Sequence, residues 1–325
     1  MTSAPLVSVV IPTYMRAAGV ARALDSIDEP DLARTDLQVV VVDNASSDDT
    51  AAVVEARRDR FANLVFRRWE TNVGPIENWR RGIALADAPW LKIIWSDDVL
   101  MPRSITPMLA SAERNHACVV TCRVAVDYPD GRSAERYLDR PTTLTPDVVA
   151  SELLHFPAGL PSSPGAALVR TDDARAALAA ALPAPCLAKA IGPDLLMAYW
   201  GVFTGGIGAH LPDVLARFTA GDDSITMRTP RSVLSSCYGA ALASLVAMAG
   251  GVGPGGVSPT TMRRMRSRAA IGRPSMVILS EDVTLKAGLS SVRPLTATRP
   301  AAIHSSASRR EQAPARAMAL AMRSP

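Results

Sequence analysis

Five apolar runs, each continuous rather than alternating, set the strongest limit on what this chain can become: Leu6–Ile11, Leu37–Val42, Leu64–Phe66, Leu91–Trp95 and Val119–Val126. A strand with one face in water alternates apolar and polar residues, whereas a strand apolar throughout is covered on both faces. Between the runs lie helical segments: Ala17–Ile27, a stretch from Ser47 to about Arg60, Ile76–Ala86 and Pro102–Arg114. The second opens on Ser47-Asp48-Asp49-Thr50, acids and hydroxyls that suit a helix N-terminus, and Pro102 suits a first turn. This alternation predicts an α/β fold with a mostly parallel central sheet flanked by helices. Ligands of such sheets bind beyond the carboxyl ends of the strands. Asp43 and the pair Asp97-Asp98 both stand at such ends.

Two adjacent carboxylates repel unless something positive sits between them. A divalent cation shared by one or two carboxylates and the phosphates of a substrate removes that cost. The plainer alternative is that Asp97-Asp98 begins a turn and caps the helix after Met101-Pro102. Three other segments lie where they could share a ligand with the pair. Ile11-Pro12-Thr13-Tyr14-Met15-Arg16 offers a turn, an aromatic face and a guanidinium, or else an ordinary strand exit. Asp43, within Val39–Thr50, could accept the imide N–H of a pyrimidine, while Ser46, Ser47 and Asp48 cap the following helix. Asn72-Val73-Gly74-Pro75-Ile76-Glu77-Asn78-Trp79 turns into a helix and could bring amides near a nucleotide.

With 325 residues, 48% of them apolar, the chain can bury one large core or two smaller ones. After the fifth strand the pattern predicts a helix at Pro146–His155 and a proline-rich loop, Phe156–Gly165, where an acceptor would be met. A short strand Ala166–Arg170, helices Asp172–Leu182 and Pro193–Trp200, and strands Ile207–Leu211 and Val214–Thr219 follow. Trp90 and Trp95 flank the fourth strand and are expected in the core. Past Met227 the periodicity fades, and residues 250–325 have the composition of a mobile extension. Charge divides at the same place: residues 1–228 carry a net −6 and residues 229–325 a net +10. Arg263, Arg264, Arg266, Arg268 and Arg273 could touch anionic lipid headgroups, or simply be solvated; no specific nucleic-acid partner is expected. The longest weakly polar stretch, Gly239–Gly253, falls short of the roughly 20 apolar residues of a membrane span. The N-terminus shows no signal-peptide pattern, so a cytoplasmic location is expected, with the tail able to bring the protein to the inner membrane face. Cys118, Cys122, Cys186 and Cys237 have no metal-ligand spacing and read as reduced thiols.

Strand–Ile-Pro-Thr-Tyr, strand–Asp-Asn-Ala-Ser-Ser-Asp-x-Thr, Asn-x-Gly and strand–Ser-Asp-Asp, in this order over about 90 residues, resemble the inverting family 2 glycosyltransferases of the GT-A fold. The resemblance covers roughly residues 5–228. It implies a GT-A domain over 1–228, with a nucleotide-binding half (1–127) and an acceptor-binding half (128–228), followed by a basic extension, 229–325, helical in part or disordered. It implies that Pro12, Tyr14 and Arg16 lie along a nucleotide, that Asp43 pairs with uracil or thymine, and that Asn72, Gly74 and Asn78 complete the donor site. Asp97 would face the ribose and Asp98 would ligate Mn²⁺ or Mg²⁺ on the diphosphate of a nucleotide-sugar donor. The base taking the proton from a hydroxyl acceptor would be Asp194, in Ile191-Gly192-Pro193-Asp194, unless Asp194 only caps its helix; Asp172-Asp173 is the rival. Three departures stand out. Met15 replaces a common Asn, Pro193 replaces an acid, and Phe218-Thr219-Ala220-Gly221-Asp222-Asp223-Ser224 lacks a downstream His that many relatives carry. Asp222 is a candidate substitute for that His, and His210, on a strand, is expected to be structural. The rival functions are a nucleotidyltransferase on a similar sheet, though Ile11–Arg16 lacks its Gly-rich signature, and a sugar-nucleotide binder with a decayed site.

Overall fold

Strands β1 (Val7–Thr13) and β2 (Leu37–Asp43) are buried along nearly their whole length, as unbroken apolar runs require. In a computed structural model that describes residues 4–137, 139–155, 159–221, 224–250 and 255–270, they lie side by side in one large sheet. Helices α1 (Ala17–Asp25) and α2 (Thr50–Glu55) follow them; β3 (Leu64–Arg68), α3 (Pro75–Ala84) and β4 (Trp90–Ile93) complete a parallel block in the order β3-β2-β1-β4. Next in the chain come β5 (Val99–Leu100), α4 (Ile105–Arg114), β6 (Val119–Asp127), β7 (Ser133–Arg136), β8 (Thr143–Leu144) and α5 (Pro146–Leu153). They are followed by β9 (Ala167–Arg170), α6 (Thr171–Ala179), α7 (Ala184–Ala188), α8 (Pro193–Phe203) and β10 (Gly208–Thr219).

Beyond β4 the sheet turns mixed. The path continues β9-β6-β10-β5, with β9 antiparallel to both β4 and β6 and β10 parallel to β6, while β7 and β8 pair antiparallel on β6 and β10. The two strands expected at 207–211 and 214–219 are one strand, β10, whose register against β6 slips around Pro212-Asp213. The sequence gives no signal for β5 and β8, each only two residues long.

Alternate strand residues feed opposite cores. Val9, Ile11, Val39 and Val41 pack with Val20 and Leu24 of α1 and Ile105 and Met108 of α4. Val10, Val40 and Val42 belong to the other layer, with Trp79 and Ile83 of α3 and most of α8. That helix is apolar all round because it is buried all round.

Two segments that the sequence pattern places in the basic extension form helices, α10 (Arg231–Met248) and α11 (Pro259–Ala270), after the short α9 (Ile225–Arg228). Leu234, Tyr238, Ala241, Leu242 and Leu245 of α10 join the α8 core, within the same compact unit as the sheet. By length and composition α10 could cross a membrane, which the window read at 239–253 does not reveal. On α11, Met262 and Met265 are buried and Arg263, Arg264 and Arg266 exposed; the side chain of Arg268 and all of Arg273 lie outside the described residues. Cys186 of α7 and Cys237 of α10 are disulfide-bonded with Cα atoms 5.3 Å apart, correcting the reading of four reduced thiols. A separation of 51 residues carries no pairing signal until the helices meet. Cys118 and Cys122 are free and buried, as expected.

Candidate functional site

Thr13 and Asp43 are register partners at the carboxyl ends of β1 and β2, and Asp43 is in turn level with Arg68 on β3. Asp43 is fully buried. Its Oδ1 accepts the Ser46 amide at 3.1 Å and the Ser46 hydroxyl, while Oδ2 has no hydrogen-bond partner; the Arg68 Nε stands 3.6 Å away. The buried Thr13 Oγ1 is also without a partner. Buried polar atoms nearly always find one, so two orphans on neighbouring strand ends mark a place shaped for a polar ligand. Pro12 is buried in β1 beside Val42, and Tyr14 next to it is 47% exposed, a ring facing solvent at the strand exit.

The loops around this edge are tied to one another. The Asn44 Nδ2 donates to Asn72 Oδ1 at 2.9 Å and to the Gly74 carbonyl at 3.3 Å, and its Oδ1 accepts the Val73 amide. Gly74, at φ +80°, starts α3 in a backbone region that suits glycine. Asn78 is placed differently from a direct ligand. Its Nδ2 reaches the carbonyls of Val42 (3.2 Å) and Thr13 (3.5 Å) and its Oδ1 accepts Trp69 Nε1, so it pins α3 to the two strand ends. Met15 has φ +53°, a conformation that costs an L-residue about 1–2 kcal/mol and that Asn tolerates. Its amide donates to Ser46 Oγ at 2.7 Å, a contact Asn can keep. Met15→Asn is expected to raise stability by about 1 kcal/mol in urea unfolding; an unchanged or lowered midpoint would show that the thioether contact with Ser47 outweighs the backbone strain.

The acidic pair lies across β1 from Asp43. The Arg16 Nη1 stands 3.5 Å from Asp97 Oδ2, linking the strand-exit guanidinium to the first acid. Asp98 is buried and its Oδ1 accepts the Thr219 amide from the end of β10 at 2.9 Å. Burial, and then the charge of Asp97, push the Asp98 carboxyl well above the ordinary range, against the Thr219 hydrogen bond. Two structural supports were not singled out from the sequence. A Cβ on Gly19 of α1 would stand 2.0 Å from the Ser96 carbonyl oxygen, so the helix bears directly on the residue before the pair. Lys92, wholly buried in β4, donates to the carbonyls of Gly165 (2.6 Å) and Ala167 (3.2 Å), fixing the turn before β9. Trp95 donates to Ser163 Oγ at 2.8 Å and packs tilted against Trp79 with centroids 4.7 Å apart; it is half-buried at the site rather than sealed in the core.

Asp194 stands in the first turn of α8, 9% exposed. Its Oδ1 accepts the Gly192 amide at 2.8 Å and its Oδ2 the Tyr238 hydroxyl, also at 2.8 Å. Burial raises its carboxyl to about 6, opposed by these hydrogen bonds. Each oxygen keeps a second lone pair, and a carboxylate near 6 is suited to general-base work at neutral pH. The structure links Asp194 to the acidic pair indirectly. Tyr238 also meets Ser162, whose neighbour Ser163 holds Trp95, three residues before Asp98. The rival acids do not enter this arrangement: Asp172 is exposed and pairs with Arg175, and Asp173 packs at Gly201 near the far end of α8. His210 is buried, its ring nitrogens meeting Thr121 Oγ1 and the Tyr137 carbonyl; burial lowers it to about 4, which keeps it neutral and structural. Asp222, and residues 156–158 of the proline-rich loop, lie outside the described residues.

A family model, glycosyl transferase family 2, matches residues 8–161. Residues 8–161, a little under half of the chain, are thus similar to glycosyl transferase family 2. Thr13, Asp43, Asp97 and Asp98 fall inside the family 2 segment; Asp194, Thr219 and Tyr238 lie beyond it. Among curated relatives, the abequosyltransferase RfbV of Salmonella typhimurium is 32% identical over 101 residues, covering 31% of this chain and 30% of the relative. The poly(ribitol-phosphate) beta-N-acetylglucosaminyltransferase TarS of Staphylococcus aureus is 30% identical over 119 residues, covering 36% of this chain and 20% of TarS. The succinoglycan biosynthesis protein ExoU of Rhizobium meliloti is 32% identical over 105 residues, 32% of this chain and 30% of ExoU. The matches thus span a third or less of these relatives. In structure, TarS residues 1–349 in complex with UDP-GlcNAc superimposes with a TM-score of 0.54 at 20% identity, covering 71% of this chain and 63% of that one. The fold is therefore that of the GT-A glycosyltransferases.

Proposed function

We propose that the chain is a glycosyltransferase that moves a sugar, with inversion, from a nucleotide diphosphate sugar to a hydroxyl acceptor on a bacterial glycan, lipid-linked sugar or small metabolite. The observation that carries this reading is the pair of buried atoms without a hydrogen-bond partner, Thr13 Oγ1 and Asp43 Oδ2, the latter faced by Arg68 at 3.6 Å, at neighbouring strand ends across β1 from the acidic pair. A carboxylate oxygen there can accept the imide N–H of uracil or thymine, the pairing that the resemblance to family 2 glycosyltransferases implies. UDP- and dTDP-sugars are therefore the favoured donors. Pro12, Tyr14 and Arg16 border the nucleotide, the Asn72–Gly74 turn closes over it, Asn78 braces the floor, and Asp97 faces the ribose. Relatives named for abequosyl and N-acetylglucosaminyl transfer and for succinoglycan biosynthesis support the reaction class.

The donor set at the second acid fits a hard divalent cation, Mn²⁺ or Mg²⁺. Among the described residues no cluster of three or more His, Cys, Asp or Glu side chains is present. Two carboxylates, one of them strained by burial and by its neighbour, suit an ion that takes its remaining ligands from a diphosphate and water. When bound, that cation would offset the negative charge growing on the leaving diphosphate. Asp98 would hold it, with Thr219 orienting the carboxylate. Asp194 takes the proton from the acceptor hydroxyl as the new carbon–oxygen bond forms and the bond to the diphosphate breaks.

Calorimetric titration with UDP, dTDP and GDP in Mn²⁺ tests the donor side. UDP and dTDP are expected to bind and GDP to bind at least 10-fold more weakly. Asp43→Ala should weaken UDP by about 10–100-fold, the worth of a hydrogen bond to a charged acceptor. Tightest binding by GDP, or an Asp43→Ala variant with wild-type affinity, would overturn the base assignment.

A further inference from the structure

The proposed base is held from outside the family 2 segment. Both oxygens of Asp194 are engaged, one by its own helix start and the other by Tyr238, which arrives from α10, 44 residues later. Tyr238 is 6% exposed, and its hydroxyl lies between the Asp194 carboxylate and Ser162 of the segment that carries Ser163 and Trp95 to the site. The helix that delivers it is anchored on each side of the contact. Cys237, the preceding residue, is bonded to Cys186 of α7, and its carbonyl lies against Gly192 at the foot of α8. Leu234, Ala241, Leu242 and Leu245 bury the rest of that face in the α8 core.

We infer that Tyr238 is a positioning residue for the transfer reaction: its hydroxyl holds the Asp194 carboxylate in one orientation and favours its charged form, coupling the helix after the transferase domain to the proton-accepting step. This rests on Asp194 being the base. The hydroxyl donates to Asp194 Oδ2 and leaves that oxygen a second lone pair for an acceptor hydroxyl. The other ionisable groups on elements packed against α8 act elsewhere. Asp173 of α6 and Arg170 of β9 influence each other near the Gly201 end, and Glu152 of α5 bonds Arg140 at 2.7 Å. Tyr238 is therefore the side chain that opposes, beside the Gly192 and Leu195 amides, the burial that raises the Asp194 carboxyl to about 6.

The test compares Tyr238→Phe with the full-length wild-type chain by two readouts. One is carbon-13 NMR titration of aspartate carboxyls, with the Asp194 signal identified by its loss in Asp194→Asn; it needs no substrate. Removing the hydrogen bond is expected to move the Asp194 midpoint up by about one pH unit. The other is donor turnover with UDP-sugars and Mn²⁺, whose acid limb in kcat against pH should move by the same amount. UDP affinity should stay within about 2-fold, because the Tyr238 hydroxyl bonds Asp194 and Ser162, neither of which is placed in the donor site. An Asp194 midpoint that stays put in a folded Tyr238→Phe overturns the inference. If Tyr238→Phe fails to fold, fluorotyrosine incorporated in place of tyrosine keeps the ring and makes the phenol a stronger donor, and should move the Asp194 midpoint down by about 0.3 unit or more; an unmoved midpoint overturns the inference. Full turnover in Asp194→Asn is a separate outcome, which sinks the base assignment and leaves the titration result standing.

Discussion

Asp98→Asn should make the substrate-free protein more stable and the enzyme inactive. In the wild type, burial and the neighbouring Asp97 raise the Asp98 carboxyl well above its unfolded value. The folded state therefore binds a proton more tightly than the unfolded state. The group's contribution is fully favourable below about pH 4, where both states are protonated, and is lost as pH rises through the raised value. Above the raised value, keeping Asp98 ionised in its buried place is a net cost to the fold. Asparagine keeps an acceptor for the Thr219 amide and removes the charge. The variant is expected to gain roughly 0.5–2 kcal/mol in urea unfolding at pH 7.5, with the gain shrinking toward pH 4.5. The same change should erase the stabilisation that Mn²⁺ with UDP gives the wild type, and lower kcat/KM by about 10³-fold or more. A variant that is less stable at neutral pH, or that still responds to Mn²⁺, would show that Asp98 is structural.

Gly19→Ala reverses sign between propensity and structure. Glycine inside a helix costs about 1 kcal/mol relative to alanine, so the sequence of α1 alone recommends the substitution. The added Cβ would stand 2.0 Å from the Ser96 carbonyl oxygen and 3.2 Å from its carbon. Both are backbone atoms, with no rotamer to escape into. Either α1 or the Ser96–Asp98 turn must move, and the turn carries the acidic pair. The expected loss is roughly 3 kcal/mol, measured by urea unfolding. Mn²⁺-dependent UDP binding should weaken as well, although no residue of the donor site has changed. Stabilisation by Gly19→Ala with unaltered binding would show that the helix is free to shift.

The parts of the site that are legible in the sequence are those encoded locally. Asp43 and Asp97-Asp98 stand out because each ends an apolar run, and an apolar run long enough for one strand must put its last residue at the sheet edge. Asp48 reads as a cap; the N-cap position is Asp49, and Asp48, one residue earlier, accepts from the Thr50 amide and also from Ala17 of the neighbouring helix. Asn78 reads as a ligand only because it follows Asn-x-Gly. Its carbonyl partners on β1 and β2 are 65 and 36 residues away, and no local pattern announces them. Residues 231–248 look like a departure from the fold because their helix is apolar with little charge to mark an outer face. Such a helix is stable only once another apolar helix, α8, covers it.

Strand order of polarity, the helix starts and the acids at the strand ends follow from the chain itself, because each depends on residues within one or two turns of one another. Which buried atoms lack partners, which glycine bears on the acidic turn, which cysteines pair and which phenol holds Asp194 were settled by packing. Each of those contacts joins elements 30 or more residues apart, and each is created by the burial of apolar faces whose mutual placement no local pattern specifies.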